Sequence, residues 1–245
     1  MESRETLAQE MAPKMVVTII DRDNAPRLED ILREKHVHFN YSFFGMGTAS
    51  SEILKTFGLS GTEKTVCVCF EPAALAHSLM ISVAERLELT HPGNGIVFLM
   101  PVSGADSNIS NTLGKEFEQH RERWAQFMEA ESLKKHEEAR YELVMAIISQ
   151  GHSEAVMHVA RAHGVRGGTV VHARHAGVED VVKFFGISVQ AEKEIVAMLV
   201  HKGQKRELMQ AICADCGTKA EVRGLVISLP VEACAGINME DGEEP

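Results

Sequence analysis

The sequence predicts an α+β protein that contains two copies of one unit, and three observations support this prediction. First, the chain resembles itself: several residues within 16–60 recur 128 positions later, and several within 63–102 recur 129 positions later. Second, each copy alternates short β-branched runs with segments of helical periodicity. Third, 245 residues suffice for two domains of roughly 90 to 100 residues, each with its own core. Similarity at a fixed spacing is the signature of a repeated architecture.

The first copy has the order strand, helix, strand, loop, strand, helix, strand. Its strands are predicted from β-branched and aromatic runs at 15–20, 37–46, 65–70 and 96–101. Asn24 is expected to cap the first helix, which carries Leu28, Ile31 and Leu32 on one face. Pro72 is expected to open the second helix, whose apolar residues recur at helical spacing up to position 87.

The second copy repeats this order, with strands predicted at 143–149, 166–174, 194–200 and 225–231. Ser153 is expected to cap a helix that runs through His163, and another helix is predicted over 205–216. This is the order of the ferredoxin-like fold, in which two helices cover one face of an antiparallel sheet. Because the other face would remain bare and apolar, we expect the protein to self-associate.

The predicted domain boundaries follow from the repeat. The first ferredoxin-like domain, the more divergent one, covers residues 14–104, and the second covers residues 142–237. A linker and an amphipathic helix occupy residues 105–141, and an acidic tail occupies residues 238–245.

Residues 164–175 read Gly-Val-Arg-Gly-Gly-Thr-Val-Val-His-Ala-Arg-His, and they are followed by Phe-Gly-Ile at 185–187 and by the segments 192–200 and 224–232. Together these stretches resemble the PII-type nitrogen-regulatory signal-transduction family, and the first copy resembles it more faintly. The resemblance implies a homo-oligomer, commonly a trimer, that binds a small effector such as an adenine nucleotide at inter-domain or inter-subunit clefts. It also implies a protein partner, such as a membrane transporter or a metabolic enzyme.

The resemblance implies an effector site in the second copy, at Gly167, Gly168 and Thr169. Glycine there would let main-chain N–H groups approach an anion with no side chain between. The alternative is that these glycines serve a bulge or close packing. The first copy has Phe39-Asn40-Tyr41 at the same place, so it has lost both glycines.

A second phosphate-binding element departs from the family pattern Gly-Asp-Gly-Lys. The first copy has Gly-Asn-Gly-Ile at 93–96 and the second has Val-Arg-Gly-Leu at 222–225, so the lysine is absent from both. Lys219 or Arg223 could replace its charge, and Gly224 keeps the turn. The predicted site residues are therefore Gly167, Gly168, Thr169, Lys219, Arg223 and Gly224.

Two other classes of function stay open. A metal-binding trimer of the same fold would use Cys213, Cys216 and the histidines of the second copy, which stand at positions 152, 158, 163, 172 and 175. The repeat places Ala84 and Leu87 at the two cysteine positions, which favours core packing instead. The third class is an interaction module whose ligand site has decayed and whose partner contacts lie on the helix at 113–140 and on the acidic tail.

Composition excludes several classes. A net charge of −10 argues against nucleic-acid binding, and no apolar run approaches the roughly 20 residues of a membrane span. The charged N-terminus lacks the apolar core of a secretory signal and the cysteine count is odd, so we expect a cytoplasmic protein. No Walker loop, nucleophile elbow or H-E-x-x-H motif is found, so we expect a binding protein rather than an enzyme.

Overall fold

The structure, a computed structural model, describes residues 11–48, 63–91, 93–103, 140–174, 192–216 and 224–237. Its elements along the chain are β1 Pro13–Asp21, α1 Ala25–Glu34, β2 Asn40–Gly47, β3 Glu63–Pro72, α2 Ala73–Arg86, β4 Gly95–Pro101, β5 Tyr141–Ser149, α3 Ser153–Ala162, β6 Thr169–Arg174, β7 Glu192–His201, α4 Lys205–Cys216, β8 Leu225–Pro230 and β9 Ala233–Ala235. A short 3-10 turn, Arg22–Asn24, precedes α1.

The chain divides into two compact units, each made of more than one stretch of sequence. The first unit comprises Met1–Phe43, Thr65–Arg140 and Pro230–Pro245, and the second comprises Phe44–Lys64 and Tyr141–Leu229. The last four residues of β2 therefore belong to the second unit, and β9 belongs to the first.

The first unit contains a mainly antiparallel sheet with the strand order β2-β3-β1-β4-β9. Strands β1 and β4 pair antiparallel from Lys14 opposite Pro101 to Ile20 opposite Gly95. Helices α1 and α2 bury their apolar residues against one face of this sheet. The resulting core includes Val16, Ile20, Leu28, Ile31, Leu32, Cys67, Cys69, Leu79, Val83, Leu87, Val97 and Leu99.

The second unit has the strand order β8-β5-β7-β6, which is the same permutation as β4-β1-β3-β2. Strand β7 pairs antiparallel with both β5 and β6, and the end of β2 pairs with β6. Helices α3 and α4 pack on one face, and the core includes Val144, Ala146, Ile148, Val156, Met157, Val196, Met198, Leu208 and Ile212. The α+β class and the tandem ferredoxin-like order predicted from the sequence are confirmed.

Most element bounds agree with the sequence prediction, and α4 has the predicted bounds. The predicted strand 166–174 begins only at Thr169, because residues 163–168 form the turn after α3. The predicted strand 37–46 begins at Asn40, whose side-chain Nδ2 donates a hydrogen bond to the carbonyl of Val37 at 2.9 Å. Strand β9 was not predicted at all. It pairs with β4, with Ala233 opposite Leu99.

One of the two predicted helix caps needs correction. Asn24 is the N-cap of α1, as predicted, whereas the N-cap of α3 is His152 and not Ser153. Neither Asn24 nor His152 makes a side-chain capping hydrogen bond. The first N–H of α3, that of Ser153, instead donates to Oε2 of Glu194 at 3.1 Å. Glu194 is a buried residue of β7. A carboxylate at this point accepts a hydrogen bond from a helix N–H that has no partner within the helix. Its negative charge is also attracted by the positive end of the helix dipole.

Several predictions fall outside the described residues: the amphipathic helix at 113–140 except its last residue, the candidate metal ligand His175, and the acidic tail. Within the described residues, none of the helices is long and apolar enough to cross a membrane.

Candidate functional site

The glycine turn before β6 is where the sequence predicts the effector site. Gly164 ends α3 with a φ of +82°, and its N–H donates to the carbonyl of Arg161 at 3.1 Å. The N–H of Val165 donates to Ala160 at 3.0 Å, which closes the helix end. The chain then passes Gly167 and Gly168 and enters β6 at Thr169.

Gly168 packs too closely against β7 for any larger residue. A Cβ atom there would lie 2.9 Å from both the carbonyl oxygen of Ala197 and Cγ of Met198. Close packing is therefore one reason for this glycine, which is the alternative the sequence left open.

The main chain of Gly168 is already hydrogen bonded to Thr48. The N–H of Gly168 donates to Oγ1 of Thr48 at 2.7 Å. The Thr48 hydroxyl donates to the carbonyl of Gly168 at 2.9 Å, and the Thr48 N–H donates to that carbonyl at 2.9 Å. The donor that an effector would use is thus occupied by a hydroxyl of the same chain.

Arg161 places a positive charge beside this turn. Its Nη2 donates to the carbonyl of Thr48 at 2.8 Å, and its Nη1 contacts Oε2 of Glu154 at 3.1 Å. Its Nε is buried and has no hydrogen-bond partner among the described residues. An arginine with a spare donor next to main-chain N–H groups is chemically suited to an anion.

Thr48 and Arg161 are not among the site residues predicted from the sequence. The available signal is the pair Gly45 and Gly47 at the end of the predicted strand 37–46. A Cβ on Gly45 would lie 2.9 Å from Cγ2 of Thr169 and 3.1 Å from the carbonyl oxygen of Val170. Small residues here allow β2 to approach β6 closely.

The second predicted element is built around Gly224. Its N–H donates to the carbonyl of Cys216 at 2.8 Å, and a Cβ atom would lie 2.5 Å from that same oxygen. Gly224 therefore fixes the chain between α4 and β8. Lys219 and Arg223 lie outside the described residues.

Gly168 and Gly224 lie at opposite ends of the sheet in the second unit. Gly168 precedes the residue that pairs with Ala197, whereas Gly224 approaches Ile148, whose partner is Glu194. Strands β6 and β8 are separated by β7 and β5. Strand spacings of ~4.8 Å and a rise of ~3.4 Å per residue then separate the two glycines by roughly 20 Å. The structure does not bring the two halves of the predicted site together within one unit.

The corresponding turn of the first copy is closed by its own side chain. Nδ2 of Asn94 donates to the carbonyl of Glu88 at 3.0 Å and approaches that of Leu87 at 3.4 Å. Gly95 has a φ of +129°, and a Cβ atom there would lie 2.3 Å from the carbonyl oxygen of Ile19.

The two cysteines of the C-x-x-C motif have different environments. Cys216 is buried, and burial raises the pKa of its thiol, whereas Cys213 is exposed. The prediction that both are core residues is therefore right for Cys216 and wrong for Cys213.

Cys67 and Cys69 pack side by side in the core of the first unit, with 3.7 Å between their sulfurs. The hydrogen bond from Cys69 lowers the pKa of Cys67 to about 7. The same bond, together with burial, raises the pKa of Cys69.

Among the described residues, no three His, Cys, Asp or Glu side chains lie close enough to hold a metal ion. The ring of His163 is used locally, with Nδ1 lying 2.9 Å from the carbonyl oxygen of Val159. His158 and His172 are exposed.

No protein-family model and no curated protein matches the chain. Solved structures with a similar fold include the PII protein of Arabidopsis thaliana bound to citrate, at 22% identity over 38% of this chain and 77% of that chain, with a TM-score of 0.30. A protein of Thermus thermophilus described as PII-like and signalling is 15% identical over 36% of this chain and 85% of that chain, with a TM-score of 0.28. A protein described as a transcriptional repressor of the glycine cleavage system is 12% identical over 89% of this chain and 97% of that chain, with a TM-score of 0.26. At these TM-scores the likenesses carry no functional information about this chain.

Proposed function

We propose that this protein is a PII-like regulatory protein that binds a small anionic effector and controls a protein partner. The expected effector class is an adenine nucleotide, and the expected partner is a membrane transporter or a metabolic enzyme. The observation that supports this most directly is the glycine turn before β6, where the N–H of Gly168 and the guanidinium of Arg161 converge on Thr48. Main-chain N–H groups and an arginine are the donors that bind phosphate oxygens.

The separation of Gly168 and Gly224 limits how the site can be formed. One nucleotide cannot contact two elements roughly 20 Å apart across a sheet. We therefore propose that a complete site forms between two molecules of this chain. One molecule would contribute its glycine turn, and the other would contribute Lys219, Arg223 and Gly224. Effector binding and oligomer formation would then be linked, since the oligomer alone completes the site.

We expect another molecule of the chain to bind on the second unit, on the sheet face opposite α3 and α4. Alternation along the strands puts apolar residues on this face, and those of β8 are the most exposed, with Leu225 at 56% and Ile227 at 36%. This open face also includes Met145, Ile147, Ile195, Leu199 and Leu229. An apolar sheet face of this kind is stabilised when another molecule of the chain covers it.

The effector proposal is tested by thermal unfolding of the purified protein with ATP, ADP, AMP, cyclic AMP and divalent metals in turn. A ligand that binds only the folded state raises the melting temperature, and 100-fold excess over Kd stabilises by about 2.7 kcal/mol. We expect a nucleotide-dependent rise that Arg223→Ala removes. The control is Arg206→Ala, an exposed arginine of α4, which should keep the rise. A response to metals alone would support the metal-binding class instead.

The oligomer proposal is tested by sedimentation of Ile227→Lys. Burying a charge in the interface between two molecules costs free energy, so we expect the variant to dissociate to smaller species than the wild type. Gln210→Lys adds the same charge on the exposed side of α4 and should leave the assembly unchanged. A wild-type protein that sediments as a monomer would contradict the proposal.

One observation favours the second candidate, an interaction module with a decayed site: Thr48 already satisfies both main-chain groups of Gly168. In that case no nucleotide shifts the melting temperature of the wild type or of any variant that frees the turn.

A further inference from the structure

We propose that residues 45–48, here called the Thr48 latch, compete internally with the effector for the glycine turn. The latch holds the turn in a closed state, and effector binding requires its displacement. This inference rests on the proposed function, because it concerns the regulation of the same site.

The Thr48 hydroxyl stands where an anionic oxygen would. It accepts the N–H of Gly168 at 2.7 Å, a distance typical of a strong hydrogen bond to oxygen. Arg161 also reaches the latch through the carbonyl of Thr48 at 2.8 Å. Displacement of the latch would release both donors at once, one neutral and one cationic, which defines the ligand class as an anion.

The described ladder between the latch and β6 is short. Among the described residues, β2 pairs with β6 at two register positions, Met46 opposite Val170 and Gly47 opposite Thr169. The neighbouring β5 and β7 pair continuously from Tyr141 opposite His201 to Ser149 opposite Lys193. Elements with short ladders open at lower free energy than core strands, so the latch can leave β6 while the core of the second unit stays folded.

Gly45 makes the closed state possible, since a side chain there would meet Thr169 and the main chain of Val170. The latch thus has two separable requirements, the hydroxyl of Thr48 and the absence of a side chain at Gly45. Each can be removed by one substitution. A substitution of Thr48 removes hydrogen bonds, whereas a substitution of Gly45 adds a steric overlap.

The test compares nucleotide affinity by calorimetry, with ATP and ADP as probes, in the wild type, Thr48→Val and Thr65→Val. Valine keeps the shape of threonine and removes the hydroxyl, so the latch loses the two hydrogen bonds that this hydroxyl makes to the main chain of Gly168. We expect Thr48→Val to bind ATP or ADP about tenfold more tightly than the wild type. Thr65 is a buried threonine whose hydroxyl has no partner among the described residues, so Thr65→Val should bind as the wild type does.

The possible outcomes separate the latch from the proposed function. Equal affinity in the wild type and Thr48→Val would overturn the latch and leave the effector proposal standing. Weaker binding in Thr48→Val would make Thr48 part of the site and would also overturn the latch. No binding to either protein at millimolar probe would overturn both proposals.

A second variant guards against a folding defect in Thr48→Val. Gly45→Val should disfavour the closed latch by steric overlap and raise affinity in the same direction. Hydrogen exchange of the Gly168 amide should become faster in both variants without any ligand, because its acceptor is removed or displaced. Unchanged exchange in both would show that the amide is not held by Thr48.

Discussion

Thr65 and Glu194 occupy the same position in the two copies, 129 residues apart, yet only one of them supports a helix. Glu194 accepts the first N–H of α3 from Ser153, whereas the hydroxyl of Thr65 is buried without a partner among the described residues. Helix α1, the counterpart of α3, begins instead after the 3-10 turn Arg22–Asn24 with proline in its first turn. The two copies reach the same fold by different local solutions, so an interaction in one copy does not predict its counterpart.

The sheets differ in the same way. In the first unit, the face opposite the helices is buried at Val17, Ile19, Phe98 and Met100. In the second unit, that face is half-buried and ends in the exposed Leu225 and Ile227. The edges differ as well, since β9 covers β4 but the order of described strands ends at β8. Among the described residues, the second unit therefore has the more exposed sheet face, and the described sheet ends at its six-residue strand β8 on one side and at the three-residue strand β9 of the first unit on the other.

The largest expected effect tests what the copies share. Gly95→Ala places a Cβ atom 2.3 Å from the carbonyl oxygen of Ile19, and Gly224→Ala places one 2.5 Å from that of Cys216. We expect each to cost about 3 kcal/mol of unfolding free energy through overpacking, with left-handed strain added at Gly95. Gly151→Ala, which has a φ of +87° but no neighbour within 4 Å, should cost only about 1 kcal/mol. Urea denaturation measures all three.

The next effect tests the difference between Glu194 and Thr65. Glu194→Leu leaves the N–H of Ser153 without its acceptor, so we expect a loss of about 2 kcal/mol in urea denaturation. Glu194→Gln keeps an acceptor oxygen and should lose less. Thr65→Val should be neutral or stabilising, because it removes a buried hydroxyl that has no partner among the described residues. Equal losses at both positions would contradict the comparison.

A smaller effect concerns β9 and the covered edge of the first unit. Nζ of Lys14 lies 2.6 Å from Oε1 of Glu232, just before β9, in a half-buried ion pair. We expect Lys14→Met to cost about 0.5 to 1 kcal/mol and to speed hydrogen exchange in β9 and β4. Exchange in β5 and β8 should not change. A uniform change over both units would indicate a global loss of stability instead.

The parts of the fold that follow from local sequence were predictable. Short β-branched runs and the face of Leu28, Ile31 and Leu32 indicate strands and a helix wherever they occur, and α4 was predicted to the residue. Strand β9 was not predictable, because Ala233–Ala235 has no strand pattern and forms only through its pairing with β4. The contact between Thr48 and Gly168 joins residues 120 positions apart, and no local pattern encodes it. The chemistry of the candidate site depends on that long-range contact. The sequence therefore predicts the glycine turn but not that the Thr48 hydroxyl is hydrogen bonded to it.

The smallest effect compares Cys216 with Leu87, its counterpart at the end of α2. Burial raises the pKa of the Cys216 thiol above its ordinary value of 9.0, so the folded state holds this proton more tightly than the unfolded state. The associated stability is fully present below pH 9 and is lost as the pH rises through the folded-state pKa. Cys216→Val should therefore lose less unfolding free energy between pH 7 and pH 10 than the wild type does.

The exposed Cys213→Ser is the matched control, and it should follow the wild type. Cys67 and Cys69 titrate equally in all three proteins, so the difference between the curves isolates the one buried thiol of the C-x-x-C motif. If Cys213→Ser also flattened the curve, the alkaline loss would come from the motif as a pair and the assignment of Cys216 to the core would be wrong.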